Sequence, residues 1–244
     1  GSNVGLHRYD AEADAFTTFL FAHMRTQGAG NIELRTLFND VSEYLWLGTS
    51  LRGLVRFHVD SGQYTQLMPD FHALSVPALE VNAINKDNDG LFWLGTNIGI
   101  MTYDPSTGAF DKFLTDDTLV NLTGISKIIF DPDGVRVWLS GEQGVVLYDR
   151  KTGEQRSIFD NDKNMNLRGK FIYCMLDDGQ GSLWIGTADG LFSYDKEMNT
   201  STKYNLANDS IYNIIQDRTG DIWVCTNAGL SSVTPAIRTQ LQAK

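Results

Sequence analysis

The residues most able to do chemistry in this 244-residue sequence are a few carboxylates, four histidines and two cysteines. The adjacent pair Asp116-Asp117 has the residue types of a general acid and base, but a solvated loop is the simpler interpretation. Cys174 and Cys225 lie far apart, which favours two small buried side chains over a disulfide framework. The histidines do not have the spacing of a metal-binding cluster: they are His7, His23, His58 and His72. We therefore expect no catalytic residue and no cofactor.

One segment, Asn85-x-Asp87-x-Asp89-Gly90, has oxygen ligands at the spacing of a calcium-binding loop. The twelfth position of that loop would be Thr96 instead of the usual glutamate, and a tryptophan-containing strand follows where a helix would be needed. We interpret the segment as a turn and expect no metal site.

The charge balance argues against a nucleic-acid partner. The sequence has 20 Lys and Arg against 30 Asp and Glu, a formal net charge of −10. Such a surface repels a phosphate backbone on average, and no cluster of basic residues offsets the repulsion. No apolar run approaches the roughly 20 residues that span a bilayer, and no signal peptide is evident. Any membrane helix is therefore expected outside this segment.

The sequence is repetitive. A glycine followed by an apolar residue comes six or seven residues after each tryptophan, and an aromatic residue usually follows four residues later, as at Tyr103 and Tyr194. Residues 1–10 align with residues 95–104, so the chain starts inside a copy. The copies recur about every 45 residues, which is long enough for four short strands. Their tryptophan motifs are Trp46-Leu-Gly-Thr, Trp93-Leu-Gly-Thr, Trp138-Leu-Ser-Gly, Trp184-Ile-Gly-Thr and Trp223-Val-Cys-Thr.

Each copy has the patterns of four strands. An apolar alternation such as 171–175 predicts a first, innermost strand, and an Asp-x-x-Gly turn such as 178–181 follows it. In this turn the aspartate can bond its own backbone and the glycine can adopt a positive φ. The tryptophan motif predicts the second strand and Gly-Leu-x-x-Tyr-Asp the third. Residues such as 109–113 predict an outer fourth strand, and helical turns are expected only within 9–24 and at the C-terminus.

Sheets of this kind bury both faces only when copies stack radially, with Trp and Tyr between neighbouring sheets. The small residues Gly48, Gly95 and Gly186 would allow close approach beside the tryptophans. We therefore predict an all-β chain, a β-propeller of four-stranded antiparallel blades, with about five to six blades present as part of a larger propeller. Within a single propeller segment, 1–244, we expect a partial blade at 1–20, blades at about 30–70, 71–115, 120–160 and 165–205, and an incomplete blade at 210–244.

The full signature is Asp-x-x-Gly-x-Leu-Trp-Ile-Gly-Thr-x-x-Gly-Leu-x-x-Tyr-Asp, clearest at 178–195 and 87–104. It resembles the repeat of the two-component regulator propeller family. The resemblance implies the periplasmic sensor domain of a Bacteroides-type hybrid histidine kinase, which detects products of polysaccharide breakdown and regulates glycan-utilisation genes. It further implies a propeller of about seven blades, an oligosaccharide ligand, a homodimer through the ectodomain, and a membrane helix and kinase elsewhere in the parent chain. Ser140-Gly141, Cys225 and Val233 depart from the pattern.

Under this interpretation the repeated residues are framework, and a ligand is recognised by residues that differ between blades. In propellers these residues lie in the loops between second and third strands and in the loops between blades. The first set supplies the candidate ligand-binding residues Arg52, Asn97, Glu142, Gln143, Asp189 and Asn227. The second set is 67–79, 115–121, 161–168 and 205–209, with Phe71 and His72 as its aromatic pair.

Two other functions stay open. A propeller-fold glycan hydrolase or lyase would need a loop carboxylate, such as Glu142 or Asp189, as its acid or base. A protein-interaction scaffold fits less well, because the Gly-His and Trp-Asp dipeptides of the WD repeat are missing.

Overall fold

The computed structural model of the protein describes residues 5–19, 21, 33–69, 78–112, 123–142, 144–158, 171–204, 206 and 210–234. All regular elements in these residues are β-strands, arranged in six sheets. Four sheets have four strands, with each strand beside the next in chain order, and the strand pairs are antiparallel. The prediction of an all-β chain built of four-stranded antiparallel propeller blades is confirmed.

The chain divides into two compact units. The first unit comprises 1–116 and 123–128 and holds three sheets. Blade 1 consists of β1 (Leu6–Asp10) and β2 (Ala15–Phe19). Blade 2 consists of β3 (Leu34–Asn39), β4 (Tyr44–Thr49), β5 (Leu54–His58) and β6 (Tyr64–Leu67). Blade 3 consists of β7 (Val81–Lys86), β8 (Phe92–Thr96), β9 (Gly99–Tyr103) and β10 (Phe110–Lys112).

The second unit comprises 117–122 and 129–244, so one boundary between the units falls within β11. Blade 4 consists of β11 (Lys127–Phe130), β12 (Arg136–Gly141), β13 (Gly144–Asp149) and β14 (Gln155–Ser157). Blade 5 consists of β15 (Ile172–Asp177), β16 (Ser182–Thr187), β17 (Gly190–Asp195) and β18 (Thr200–Tyr204). Blade 6 consists of β19 (Ile211–Gln216), β20 (Ile222–Thr226) and β21 (Gly229–Val233).

The helical turn expected within 9–24 is wrong for the residues described there. Tyr9 and Phe16 pair directly in the β1–β2 hairpin, with ring centroids 5.2 Å apart. Pairing along this hairpin satisfies the backbone and places Leu6 and Phe19 against Phe57 of blade 2. A helix over the same residues would form its hydrogen bonds locally and would not hold Phe19 beside Leu6, its partner in the hairpin.

Trp46, Trp138 and Trp184 lie between neighbouring sheets, as the repeat predicts. Trp46 of blade 2 contacts Phe92 of blade 3, with ring centroids 4.2 Å apart, and Trp138 of blade 4 contacts Tyr194 of blade 5 at 5.7 Å. The close approach depends on the predicted small residues. A Cβ added to Gly95 would lie 2.6 Å from Cγ2 of Ile125, far inside van der Waals contact.

The turn between the first and second strands of each blade joins the backbone to the tryptophan. In blade 3, Oδ1 of Asp87 accepts the backbone N–H groups of Asp89 and Leu91, while Oδ2 accepts Nε1 of Trp93 at 3.0 Å. Gly90 adopts φ of 89°, as predicted for the end of this turn. A buried indole N–H needs an acceptor, and the turn carboxylate provides it. Blades 2, 4, 5 and 6 repeat the bond through Asp40, Asp131, Asp178 and Asp217.

Blade 2 makes this turn without a glycine. Asp40 occupies the aspartate position, but Val41 adopts the left-handed conformation, with φ of 65°. A β-branched residue rarely occupies this region, because its side chain crowds the backbone. Val41 is 94% exposed, so no packing interaction accounts for the residue type.

Candidate ligand-binding face

The loops that carry the candidate ligand-binding residues are shaped by the threonine that ends each tryptophan strand. In blade 5, Oγ1 of Thr187 donates to the Gly190 carbonyl at 3.1 Å and accepts the N–H of Asp189 at 3.0 Å. Blades 2, 3 and 6 use Thr49, Thr96 and Thr226 in the same way. A repeated residue therefore fixes the backbone of a loop whose other side chains vary between blades.

In blades 2 and 5 this loop lies beside the segment that leads into the first strand of the next blade. In the first unit, the N–H of Gly53 donates to the Leu79 carbonyl at 3.0 Å. In the second unit, Oγ of Ser210, just before β19, donates to the Ala188 carbonyl at 3.5 Å. The two kinds of loop that the sequence singled out therefore share one end of their blades.

The structure places the predicted site residues in different environments. In the first unit, Arg52 and Asn97 are half-buried. The amide of Asn97 is used internally: Oδ1 accepts the N–H of Glu80, and Nδ2 donates to the Ala78 carbonyl. In the second unit, Asp189 is half-buried, whereas Glu142 and Asn227 are exposed. Gln143, Phe71, His72, the Asp116-Asp117 pair and the 161–168 loop lie outside the described residues.

An exposed group of aromatic side chains lies at the same end of blades 5 and 6 and was missed by the sequence reasoning. We call Phe171, Tyr173 and Tyr212 the aromatic strip; they are 47%, 37% and 55% exposed. The ring centroids of Phe171 and Tyr173 are 5.3 Å apart, and those of Tyr173 and Tyr212 are 5.8 Å apart. A signal was available, because each tyrosine lies eleven positions before the tryptophan of its blade, Trp184 or Trp223.

The opposite, Asp-x-x-Gly end of the second unit holds a charged cavity of about 440 Å³. Nζ of Lys196 lies 2.6 Å from Oδ1 of Asp131 and 2.5 Å from Oδ2 of Asp177. Burial lowers the pKa of Lys196, but the hydrogen bonds to these carboxylates outweigh it and raise the pKa above its usual value. The amine therefore stays protonated and joins blade 5 to blade 4. Oδ2 of Asp131 lies 3.0 Å from Nε of Arg136, although no hydrogen bond of good geometry forms there.

The calcium-like segment uses its side chains within the fold. Nδ2 of Asn85 donates to the Ile128 carbonyl at 3.0 Å, and both oxygens of Asp87 accept N–H donors. The part of the chain that the structure describes contains no group of three or more His, Cys, Asp or Glu residues arranged to hold a metal ion. Across the same residues, no helix has the length and apolar character needed to cross a membrane.

Comparison with known sequences supports the resemblance in two places. The sequence model of the family described as "two component regulator propeller" matches residues 166–189 and 205–228. The first match includes β15, β16 and Asp189, and the second includes β19, β20 and Asn227. The resemblance predicted from the repeat is confirmed in these segments. No curated protein sequence matches the chain.

Several solved structures share the fold. One is the extracellular domain of a protein described as a hybrid two-component system from B. thetaiotaomicron, with a TM-score of 0.70 and 20% identity, over 95% of this chain and 31% of that one. Another is PorZ, a surface component of the type-IX secretion system of Porphyromonas gingivalis, with a TM-score of 0.69 and 19% identity, over 91% of this chain and 36% of that one. A third is a streptogramin B lyase, with a TM-score of 0.67 and 14% identity, over 93% of this chain and 70% of that one. The chain thus spans about a third of the first two structures.

Proposed function

We propose that this chain is the ligand-sensing, periplasmic part of a hybrid two-component histidine kinase. It would bind oligosaccharides released from polysaccharides and thereby regulate the transcription of glycan-utilisation genes. The observation that carries the proposal is the match of residues 166–189 and 205–228 to the two component regulator propeller family. The fold shared with the extracellular domain from B. thetaiotaomicron supports the same assignment.

The chemistry of the blades supports binding over catalysis. The turn carboxylates of blades 3 and 5 accept hydrogen bonds from a tryptophan and from the backbone, as Asp87 and Asp178 show. Lys196 is held protonated between two carboxylates, which makes it a poor nucleophile. The repeated polar residues are therefore engaged in holding the blades, and recognition is left to the side chains that vary.

In the proposed parent protein, a membrane helix and the kinase lie elsewhere in the chain, and two ectodomains associate as a homodimer. Ligand binding can bias such a kinase only if the ligand binds one arrangement of the ectodomains better than the other. Nucleic acid is not a partner of this segment, because its net charge is −10.

The test is a phosphorylation assay on membranes that contain the complete gene product. Labelled ATP is added with a panel of neutral and acidic oligosaccharides, and a variant lacking the phosphoacceptor histidine serves as the control. We expect one glycan family to change the rate of kinase phosphorylation. A reading frame without a membrane helix and a kinase would contradict the proposal. Depolymerisation of a polysaccharide by the purified chain would replace it with the glycan hydrolase or lyase.

A further inference from the structure

The aromatic strip is unusual because its rings are turned away from the core. Exposed aromatic rings in contact with one another mark binding surfaces more often than isolated exposed residues do. Phe171 has no polar group to satisfy in water, yet it is 47% exposed. Its ring contacts Tyr173, which in turn contacts Tyr212 of the neighbouring blade. The three rings therefore form one continuous apolar surface across blades 5 and 6.

A β-bulge explains why the tyrosines point outward. In blade 5, Ile172 pairs with Thr187 and Cys174 pairs with Gly186, so Tyr173 is an extra residue in the ladder. In blade 6, Tyr212 is the extra residue between Ile211 and Asn213. A bulge re-aims one side chain while its neighbours keep their places in the core. Ile172 and Cys174 are indeed buried.

The same bulge recurs in the first unit with different side chains. The extra residue is Arg35 in blade 2, between Leu34 and Thr36, and Asn82 in blade 3, between Val81 and Ala83. A repeated backbone feature that presents a different residue in each blade is what a recognition surface needs. The residue before the bulge is an aliphatic side chain at least partly buried in each of these blades (Leu34, Val81, Ile172 and Ile211), whereas the bulged residue itself varies.

The strip lies beside polar groups. Ile172, next to Tyr173, pairs with Thr187, two residues before Asp189. Ile211, next to Tyr212, pairs with Thr226, one residue before Asn227. An apolar platform bordered by a carboxylate, an amide and two phenol hydroxyls suits a sugar, which has both C–H faces and hydroxyl groups.

The size of the strip favours a small ligand over a protein. Three aromatic side chains of up to about 250 Å² each, at these exposures, present roughly 300 Å². A protein partner needs about 800 Å² on each side. The spacing of 5.8 Å between the Tyr173 and Tyr212 centroids is comparable with the length of one sugar unit in a chain.

We propose that the aromatic strip is a saccharide-binding subsite in which Tyr173 and Tyr212 each contact one of two successive sugar units. This inference rests on the proposed function and gives it a location. Because two units are contacted together, the strip binds an oligosaccharide and discriminates against the component monosaccharides.

The test measures binding of short neutral and acidic oligosaccharides to the purified chain by calorimetry, each beside its component monosaccharides. Tyr173→Ala and Tyr212→Ala should each weaken oligosaccharide binding by roughly tenfold, since each removes a ring from the contact. Tyr212→Phe should stay within roughly threefold, because the ring remains. Phe16→Ala is the matched control, as Phe16 is a 70% exposed aromatic residue in blade 1. Each variant's melting temperature should equal that of the wild type.

A second readout uses tyrosine nitration. Tetranitromethane should modify Tyr173 and Tyr212 in the free chain, and a bound oligosaccharide should protect both, as read by peptide mass spectrometry. Protection of neither residue by a ligand that calorimetry shows to bind would overturn the subsite.

The outcomes separate the two proposals. If the wild type binds an oligosaccharide and both alanine variants bind it equally well, the subsite is overturned and the sensor function stands. If no saccharide binds the purified chain but one stimulates the kinase in membranes, the subsite is again overturned and the sensor function again stands. If neither effect occurs, both proposals fail. If Tyr212→Ala instead abolishes self-association, the strip is an interface between copies.

Discussion

The indole Nε1 of Trp223 donates a 2.7 Å hydrogen bond to Oδ2 of Asp217, the carboxylate that also shapes the β19–β20 turn through its other oxygen. One side chain thus holds both the turn and the tryptophan of its blade. The hydroxyl of Thr219, followed by the Trp223 indole, lowers the pKa of Asp217 to about 2. The carboxylate is therefore bound most strongly in its charged form.

Asp217→Asn should reduce stability at neutral pH and flatten the acid dependence of unfolding. The folded pKa lies below the unfolded value of 3.8, so the ionised group stabilises the fold above that value. This stabilisation is lost as the pH falls from about 4 towards about 2. Urea unfolding of both proteins at several pH values should show their difference shrinking over this window.

Glu12→Gln is the control, because the carboxylate of Glu12 is exposed in the turn between β1 and β2. A constant difference between wild type and Asp217→Asn down to pH 2 would show that the charge on Asp217 contributes nothing.

Lys196→Met should destabilise the protein by about 3 kcal/mol, because it leaves Asp131 and Asp177 facing each other without the amine that they share. Arg136 remains beside the other oxygen of Asp131, but Asp177 loses the cation. The side chain of Lys196 is only 12% exposed, so water cannot replace the amine fully. Chemical denaturation at neutral pH measures the loss. Lys86→Met is the matched control: Lys86 also reaches the turn carboxylate of the preceding blade, Asp40, but at 3.6 Å and with 32% exposure.

Lys86→Met should lower the free energy of unfolding by less than about 1 kcal/mol, as expected of a more exposed ion pair. Equal losses of stability in Lys196→Met and Lys86→Met would show that the burial of Lys196 does not strengthen its ion pairs.

Gly186→Ala should destabilise the protein by about 1–3 kcal/mol through overpacking. Gly186 does not need a positive φ, so backbone strain is not the cause. The added Cβ would collide with Sγ of Cys174 and lie 2.6 Å from Cγ2 of Ile211 in the next blade. Thermal unfolding measures the change. In a Cys174→Ala background, Gly186→Ala should destabilise the protein less, because Sγ is gone. An equal loss of stability in that background would show that the collision with Sγ is not the cause.

Val41→Gly should stabilise the protein by about 1 kcal/mol, because it relieves a β-branched residue held at φ of 65°. The side chain is 94% exposed, so no packing is lost. Val41→Ala keeps a Cβ and should recover less of this free energy. The midpoint of urea unfolding measures both variants, and a glycine variant less stable than the wild type would show that the turn is unstrained.

The repeat alone determined the blades. Five tryptophan motifs define the second strand of five sheets, and an Asp-x-x-Gly turn precedes four of them. Strand order and turn chemistry are local properties and can therefore be predicted from a repeat. The inter-blade packing of Trp46 and Trp138 could also be predicted, since a four-stranded sheet with two apolar faces has to be covered on both. The loop residues Asp189 and Asn227 could be located on blades, but their neighbours could not.

Only the tertiary structure decided what the individual polar and aromatic groups do. Tyr173 and Tyr212 occupy the same position of the repeat, which the sequence shows, but the bulges there break the alternation of the strand. That these rings face solvent is therefore visible only in the structure. Lys86 and Lys196 bond turn carboxylates of the preceding blade from different strand positions, so no repeated spacing marks them. Such contacts join residues far apart in sequence, and they depend on how one sheet lies against the next. A local sequence pattern therefore does not predict these contacts.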